Sequence, residues 1–156
     1  MWGVWAIVAD FYTPLLCFGV LWTGHRLGVL TRSVIGLSLC CALIFGFSFL
    51  EGLLGLWQRW GLDYSTHTAI LLPFYQMLLV FVLIPFRETS HNRLSLLCRS
   101  VLAIALVIAL VSGVAYGVLM HHLGYHSLAD MLTTLVSTYP LVWICFRGLK
   151  PYLEFS

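Results

Sequence analysis

Two short polar clusters interrupt a chain that is otherwise mostly hydrocarbon, and both contain residues able to move protons or chemical groups. The first runs from 63 to 68 (DYSTHT) and the second from 121 to 130 (HHLGYHSLAD). Each cluster lies at the start of a long apolar segment. Because ionisable side chains are costly near a bilayer, such a local concentration of them predicts a functional site.

The residue types and spacings in these clusters favour phosphoryl transfer. His126 and Asp130 are four residues apart, which on a helix places both side chains on one face. A carboxylate beside a histidine fixes its tautomer and leaves the other ring nitrogen free to attack. His67 follows Ser65 and Thr66 at the start of another apolar segment, where a helix N-terminus favours phosphate. A nucleophile, a general acid and an anion-friendly helix end suit that reaction.

The composition places this chemistry in a membrane. Of the 156 residues, 61% are hydrophobic and 9% are charged, with a mean hydropathy of +0.97, whereas about 25% of residues are charged in an ordinary soluble domain. We therefore expect one transmembrane domain over residues 1–156 and no separate soluble domain. The net charge of +2 is too small to favour a nucleic-acid partner. The five cysteines match no zinc spacing, and we expect no structural disulfide.

A membrane-spanning helix needs about 20 mainly apolar residues, and five stretches meet this requirement. They are Val4–Trp22, Ser33–Trp57, His67–Phe86, Cys98–Met120 and Ser127–Phe146. The fold class expected is therefore all-α, a polytopic membrane bundle of five transmembrane helices. The N-terminal stretch lacks the basic start and cleavage site of a signal peptide, so we expect it to be a retained helix.

The positions of lysine and arginine predict the orientation. Seven of the eight fall in the first loop, the third loop or the C-terminal tail, namely Arg26, Arg32, Arg87, Arg93, Arg99, Arg147 and Lys150. Only Arg59 lies in the second loop. Because cytoplasmic loops are rich in these residues, the N-terminus is expected outside and the C-terminus in the cytoplasm. Both polar clusters then face the periplasm, lumen or cell exterior.

The same clusters resemble motifs of the type 2 phosphatidic-acid phosphatase superfamily, whose membrane enzymes carry KxxxxxxRP, then PSGH, then SRxxxxxHxxxD. The YSTH at 64–67 falls where PSGH would stand, and residues 124–132 are similar to the GxHxxxDxL stretch. The order also agrees, with each motif opening a helix and two helices between them. By this resemblance, which covers roughly Glu51 to Thr138, the chain is identified as a divergent, shortened member.

The resemblance implies a residue for each chemical role. His126 would be the nucleophile that forms a phosphohistidine, Asp130 would orient it, and His67 would protonate the leaving group. The substrate would be a lipid phosphate ester, and no metal or other cofactor is implied. Further candidates for substrate binding are Ser65, Thr66, Arg59, His121 and His122.

The departures from the family pattern concern phosphate binding. No KxxxxxxRP precedes Tyr64, Met120 stands where the third motif would have arginine, and Thr66 replaces the glycine of PSGH. Members similar to sphingomyelin synthases also keep two histidines and an aspartate without that arginine. A phosphodiester transferase, whose substrate carries less charge, therefore stays open beside a phosphatase.

Three alternatives stay open. The Ser127-x-x-Asp130 pattern is also a capping box, which needs no chemistry. The chain is alternatively a catalytically silent relative that acts as a membrane subunit, homo-oligomer or lipid-binding partner. A metal-dependent membrane hydrolase is a weaker hypothesis. The enzyme hypothesis requires a hydrogen bond between the His126 ring and Asp130, with His67 facing both across one small pocket.

Overall fold

The computed structural model describes residues 2–83 and 92–153, and in these ranges it consists of helices and their connections, without a strand. The five α-helices are α1 (Trp2–Arg26), α2 (Leu30–Leu54), α3 (Thr66–Leu83), α4 (Asn92–His122) and α5 (Leu128–Leu153). A short 3-10 turn, Gln58–Trp60, lies between α2 and α3. The expectation of an all-α chain is confirmed. The predicted end of the third helix at Phe86, and Arg87, fall outside the described residues.

Four helices, α2 to α5, are long and apolar enough to cross a membrane. Their outward faces carry large apolar side chains, among them Phe45, Val107 and Val136. Such surfaces are stable against lipid and would be unusual against water. The chain is therefore consistent with an integral membrane protein. Helix α1 is as long as α2, with 25 residues in each.

Helix α2 ends at Leu54, three residues before the predicted end at Trp57. Gly55 has φ of 60°, a left-handed conformation that glycine adopts without steric cost. The buried Glu51 carboxylate then accepts hydrogen bonds from the backbone N–H groups of Leu56 (3.1 Å) and Trp57 (2.7 Å). These bonds turn the chain away from the helix axis, so the segment 55–65 crosses the end of the bundle.

Helix α3 is the centre of the bundle, because it packs against all four other helices. Its inward side chains, including Leu72, Met77 and Phe81, are almost completely buried. Since successive helices are antiparallel, the connections α2–α3 and α4–α5 lie at the same end of the bundle. The two polar clusters, which these connections contain, therefore share one end, as the sequence predicts.

A hydrogen-bonded group of polar side chains joins α1, α3 and α4 within the apolar interior. The Tyr12 hydroxyl lies 3.0 Å from the Tyr75 hydroxyl and 2.9 Å from Ser112 Oγ, and it donates to the Ala109 carbonyl oxygen (3.1 Å). Polar groups that pair across helices in this way help to hold a membrane bundle together. Tyr75 reaches this position because it passes over Gly113, which has no side chain.

We expect Gly113→Ala to destabilise the bundle. The added methyl would overlap the Tyr75 hydroxyl and lie 2.9 Å from Tyr75 Cζ, so the ring must move and lose its bond with Tyr12. The cost of such overpacking is about 1–3 kcal/mol. Thermal unfolding in detergent measures it, with Gly46→Ala as the matched control because a methyl there meets nothing within 4 Å. Equal midpoints for the two variants would contradict the close approach of Tyr75.

Candidate functional site

The start of α5 is a capping box, as its Ser127-x-x-Asp130 pattern predicts. The Ser127 backbone N–H donates to Asp130 Oδ2 (2.8 Å), and the Asp130 N–H donates to Ser127 Oγ (3.1 Å). Two backbone donors that the first turn leaves without helical partners are thereby satisfied. Helix α5 consequently begins at Leu128, two residues after His126.

Asp130 also holds the first polar cluster. Its second oxygen, Oδ1, accepts a hydrogen bond from the Asp63 backbone N–H (2.9 Å). One helical turn further along α5, Thr134 Oγ1 accepts the N–H of Ser65 (2.9 Å). Asp130 and Thr134 are both buried; the bond between Ser65 and Thr134 is buried, and the bond between Asp63 and Asp130 is part-buried. The segment 63–65 is therefore fastened to the first two turns of α5.

Tyr64 anchors the same segment through its side chain. Its hydroxyl lies 3.0 Å from Thr138 Oγ1, and its ring packs edge-on against Trp57 and Phe47 at centroid distances of 5.4 and 5.6 Å. Burial raises the pKa of the Tyr64 phenol, and the hydrogen bond to Thr138 opposes this only in part. The phenol therefore stays neutral and serves as an anchor.

Ser65 is the N-cap of α3. Its Oγ accepts a hydrogen bond from the Thr68 N–H (3.3 Å) and lies 3.0 Å from Thr68 Oγ1, while the Ser65 carbonyl accepts the Ala69 N–H. The side chain is fully buried. The geometry therefore makes Ser65 a helix cap, and its expected contact with phosphate stays a prediction. Thr66, the first residue of the helix, is half-buried.

His67 and His126 come together although they belong to different clusters. Their ring centroids are 5.8 Å apart with an angle of 58° between the ring planes, and the Tyr125 ring lies 6.1 Å from His67. Only 10% of the His126 side chain is exposed. Within the described part of the chain, the Nδ1 atoms of both histidines are buried and have no hydrogen-bond partner. The two imidazole rings thus lie close together, and each has an Nδ1 atom that makes no hydrogen bond.

The expected hydrogen bond between the His126 ring and Asp130 is wrong for the residues described. Both Asp130 oxygens accept backbone N–H groups instead, and the acidic side chain nearest the ring belongs to Asp63. Its Oδ2 lies 3.5 Å from His126 Nδ1, an electrostatic contact without hydrogen-bond geometry. The i, i+4 argument fails because His126 precedes the helix, so helical spacing does not direct its side chain towards Asp130.

Of the other predicted binding residues, only His121 has a contact with His126 in the described part of the chain. His121 Nδ1 is 3.2 Å from the His126 carbonyl oxygen, and the His122 ring lies 6.2 Å from that of His121. Arg59 is exposed on the 3-10 turn. Among described residues, no arginine or lysine contacts the rings of His67 or His126. No group of three or more His, Cys, Asp or Glu side chains there is arranged to hold a metal ion.

Three residues that contribute to the site are not predicted from the sequence. Asp63 belongs to the first cluster, but nothing in the sequence gives it a role in phosphoryl transfer, and Thr134 and Thr138 lie outside both clusters. A signal for the threonines exists, since Asp130, Thr134 and Thr138 recur every four residues and form a polar stripe on an apolar helix. No comparable local pattern points from Asp63 to His126.

Comparisons with known proteins add no relative to this picture. No family model matches the chain, and neither the curated proteins nor the solved structures contain a match. The resemblance to type 2 phosphatidic-acid phosphatases therefore rests on the two motifs alone and stays a prediction.

We expect Asp130→Ala to loosen the attachment of segment 63–65 to α5. The change leaves the N–H groups of Ser127 and Asp63 without their acceptor. Both residues are exposed, so water can replace part of each bond and we expect a cost of about 0.5–1.5 kcal/mol per bond. Amide hydrogen exchange should accelerate at both positions. In the control Ser127→Ala, which removes only the acceptor of the Asp130 N–H, exchange at Asp63 should stay slow. Slow exchange at Asp63 in both variants would refute the linking role of Asp130.

Proposed function

We propose that this chain is a membrane enzyme that hydrolyses or transfers a phosphate ester of a lipid through a histidine nucleophile. The observation that carries the proposal is the meeting of His67 and His126 at one end of an apolar bundle, with unpartnered ring nitrogens. Buried histidines without partners are costly in a merely structural role. The two motifs and their order support the same reaction.

The proposed orientation makes the site non-cytoplasmic. In this arrangement α1 is the fifth spanning helix, the N-terminus is outside, and the C-terminus is in the cytoplasm. The seven-to-one distribution of lysine and arginine supports it. The site then lies where the non-cytoplasmic face of the membrane meets water. The phosphate group of a lipid resides at this level, and water or an alcohol can reach it.

The proposed reaction has two steps. In the first, His126 Nε2 attacks phosphorus, a P–N bond forms, and the bond from phosphorus to the leaving oxygen breaks. That oxygen takes a proton from His67. In the second step water, or an alcohol in a transferase, gives a proton to His67 and attacks phosphorus, and the P–N bond breaks. Each step uses one histidine as nucleophile or leaving group and the other as proton carrier.

The two acidic residues have different proposed roles. Asp63 faces Nδ1 of His126 and stabilises the positive charge that the ring gains when it binds phosphorus. Asp130 is a positioning residue, since it acts on His126 only through the backbone of Asp63. This division differs from the family pattern, in which the aspartate of the third motif orients the histidine.

The scarcity of cations favours a substrate with little charge. The N-terminus of α3 lies beside His67 and provides a partial positive charge, while of Arg59, His121 and His122 only His121 has a contact with His126 among the described residues. A phosphodiester carries one negative charge and needs less compensation than a dianionic monoester. Among lipid phosphate esters, the site therefore suits a diester at least as well as a monoester.

The decisive test is phosphate-ester turnover by the purified chain in vesicles. Lipid phosphates, diphosphates and diesters form the substrate panel, and each is assayed with and without chelator. We expect turnover that disappears in His126→Ala and falls by about 10²–10⁴-fold in His67→Ala. His25→Ala is the control, because His25 is exposed in the last turn of α1, at the end of the bundle opposite the site.

Two results would contradict the proposal. Turnover that persists in His126→Ala would exclude this nucleophile, and turnover abolished by chelator in the wild-type chain would favour the metal-dependent alternative. A trapped phosphohistidine, detected by mass spectrometry after acid-free quenching, would identify the covalent step directly.

Asp63→Asn tests the charge contact on His126. At 3.5 Å and with 70% of the Asp63 side chain exposed, the interaction is that of two charges in a nearly aqueous dielectric, so we expect kcat to fall by about fivefold to tenfold. The deficit should shrink in high salt, which screens exposed charges, and Asp63→Glu should restore part of the rate. A deficit that is independent of salt would indicate a structural role only.

The second candidate is a catalytically silent relative that acts as a membrane subunit or lipid-binding partner. It is favoured by the lack of contacts from arginine or lysine to either histidine ring among the described residues. Absence of turnover across the whole panel, together with stable co-purification with another membrane protein, would support it.

A further inference from the structure

A second feature of the bundle is a groove of about 620 Å³ between α4 and α5, with α3 as its floor. Of all the packed helix pairs, α4 and α5 touch each other least, so the groove is open along the outer surface of the bundle. Its rims carry exposed apolar side chains, among them Val114, Leu132 and Val136. In a membrane this opening faces lipid.

The groove is apolar because the hydroxyl groups along it are engaged elsewhere. Thr68 is bonded to Ser65, Tyr75 to Tyr12, and Tyr139 to Gln76. What remains on the inner surface is hydrocarbon, aromatic rings and the Met131 side chain. A polar ligand would lose its hydration there without gaining hydrogen bonds, so the occupant must be a hydrocarbon.

The length of the groove corresponds to one membrane leaflet. Along α5 it extends from Leu128 to Pro140, which at 1.5 Å per residue is about 18 Å. Half of a hydrocarbon core about 30 Å thick is roughly 15 Å. A transmembrane helix from another protein would need a surface twice as long, whereas a single acyl chain of one leaflet matches this depth.

The outer end of the groove adjoins the candidate site. Leu128 and Met131 flank Asp130 in the first turn of α5, and Thr68 lies one turn after the cap of α3 and next to His67. A lipid whose chain lies in the groove would have its phosphate near His67 and His126. The small residue Gly117 keeps the α4 wall open, since a methyl group added there would already lie 3.7 Å from Met131 Sδ.

We propose that this groove binds one acyl chain of a phospholipid from the non-cytoplasmic leaflet. The groove is a site for hydrocarbon whatever the chemistry beside it, whereas the choice of leaflet and the identification of the bound lipid as a substrate rest on the proposed function. The groove thereby selects lipids over soluble phosphate esters and sets the depth at which the phosphate meets the histidines.

Photochemical labelling in vesicles tests the proposal without requiring turnover. The full chain is reconstituted in dioleoyl phosphatidylcholine that contains a small fraction of phosphatidylcholine with a diazirine at the end of one acyl chain. After irradiation, mass spectrometry should find label concentrated at the deep end of the groove, at Leu135, Val136 and Pro140. Lipid-facing positions on α2, such as Phe45 and Phe49, report ordinary contact with surrounding lipid.

Two variants separate specific binding from general contact with lipid. Gly117→Leu places a side chain in the groove and should lower its labelling about fivefold relative to α2. Gly46→Leu is the matched control, because that glycine lies in a helix with open space around it, and it should change nothing. His126→Ala should keep full labelling of the groove, which distinguishes failure of catalysis from failure of lipid binding.

Three results would overturn the proposal. They are equal labelling of the groove and of α2, labelling that Gly117→Leu leaves unchanged in a folded chain, and, in a variant with a photoreactive amino acid at Val136, cross-links between two chains in place of the lipid label. The last would show that a second copy fills the groove. If Gly117→Leu lowers the thermal midpoint, Leu132→Trp at the exposed rim provides the same test from the other wall.

Discussion

The Asp130 carboxylate is the constraint on which the end of the bundle that contains both polar clusters depends. One oxygen closes the capping box of α5, and the other holds the backbone of Asp63. Charge-assisted hydrogen bonds are roughly twice as strong as neutral ones, and Asp130, which accepts these two, is buried. Because Asp130 fixes both connections, His67 and His126 can lie opposite one another although the chain gives them no shared helix.

The same arrangement gives Asp130 and Asp63 different contacts. Asp130 makes no hydrogen bond to the His126 ring, since its two oxygens accept backbone N–H groups and His126 precedes the start of the helix. Asp63, held in place by Asp130, presents its carboxylate to His126 instead. A structural acid that positions a second acid thus keeps the histidine pair together at the junction of two connections.

The membrane accounts for the remaining features of the bundle. Without water in the hydrocarbon region, polar groups must pair internally, as Tyr12, Tyr75 and Ser112 do. Loose packing between α4 and α5 leaves an apolar groove. When lipid fills this groove, its apolar side chains are not exposed to water. The end of the bundle that contains the two polar clusters adjoins the apolar groove, so polar side chains and hydrocarbon lie next to each other on one surface.

The sequence by itself determined the helical class, the approximate spans, the capping box and the common end of the two clusters, because these follow from apolar length, alternating helix direction and local hydrogen bonding. Only the tertiary structure decided which acid meets His126, that Ser65 is fully used as a cap, and that a groove opens along α5. Those features depend on contacts between segments distant in sequence, such as Asp63 with Asp130 and Ser65 with Thr134. Residue spacing can mark a polar stripe such as Asp130, Thr134 and Thr138 on one helix, but it does not say which distant segment that stripe will bind.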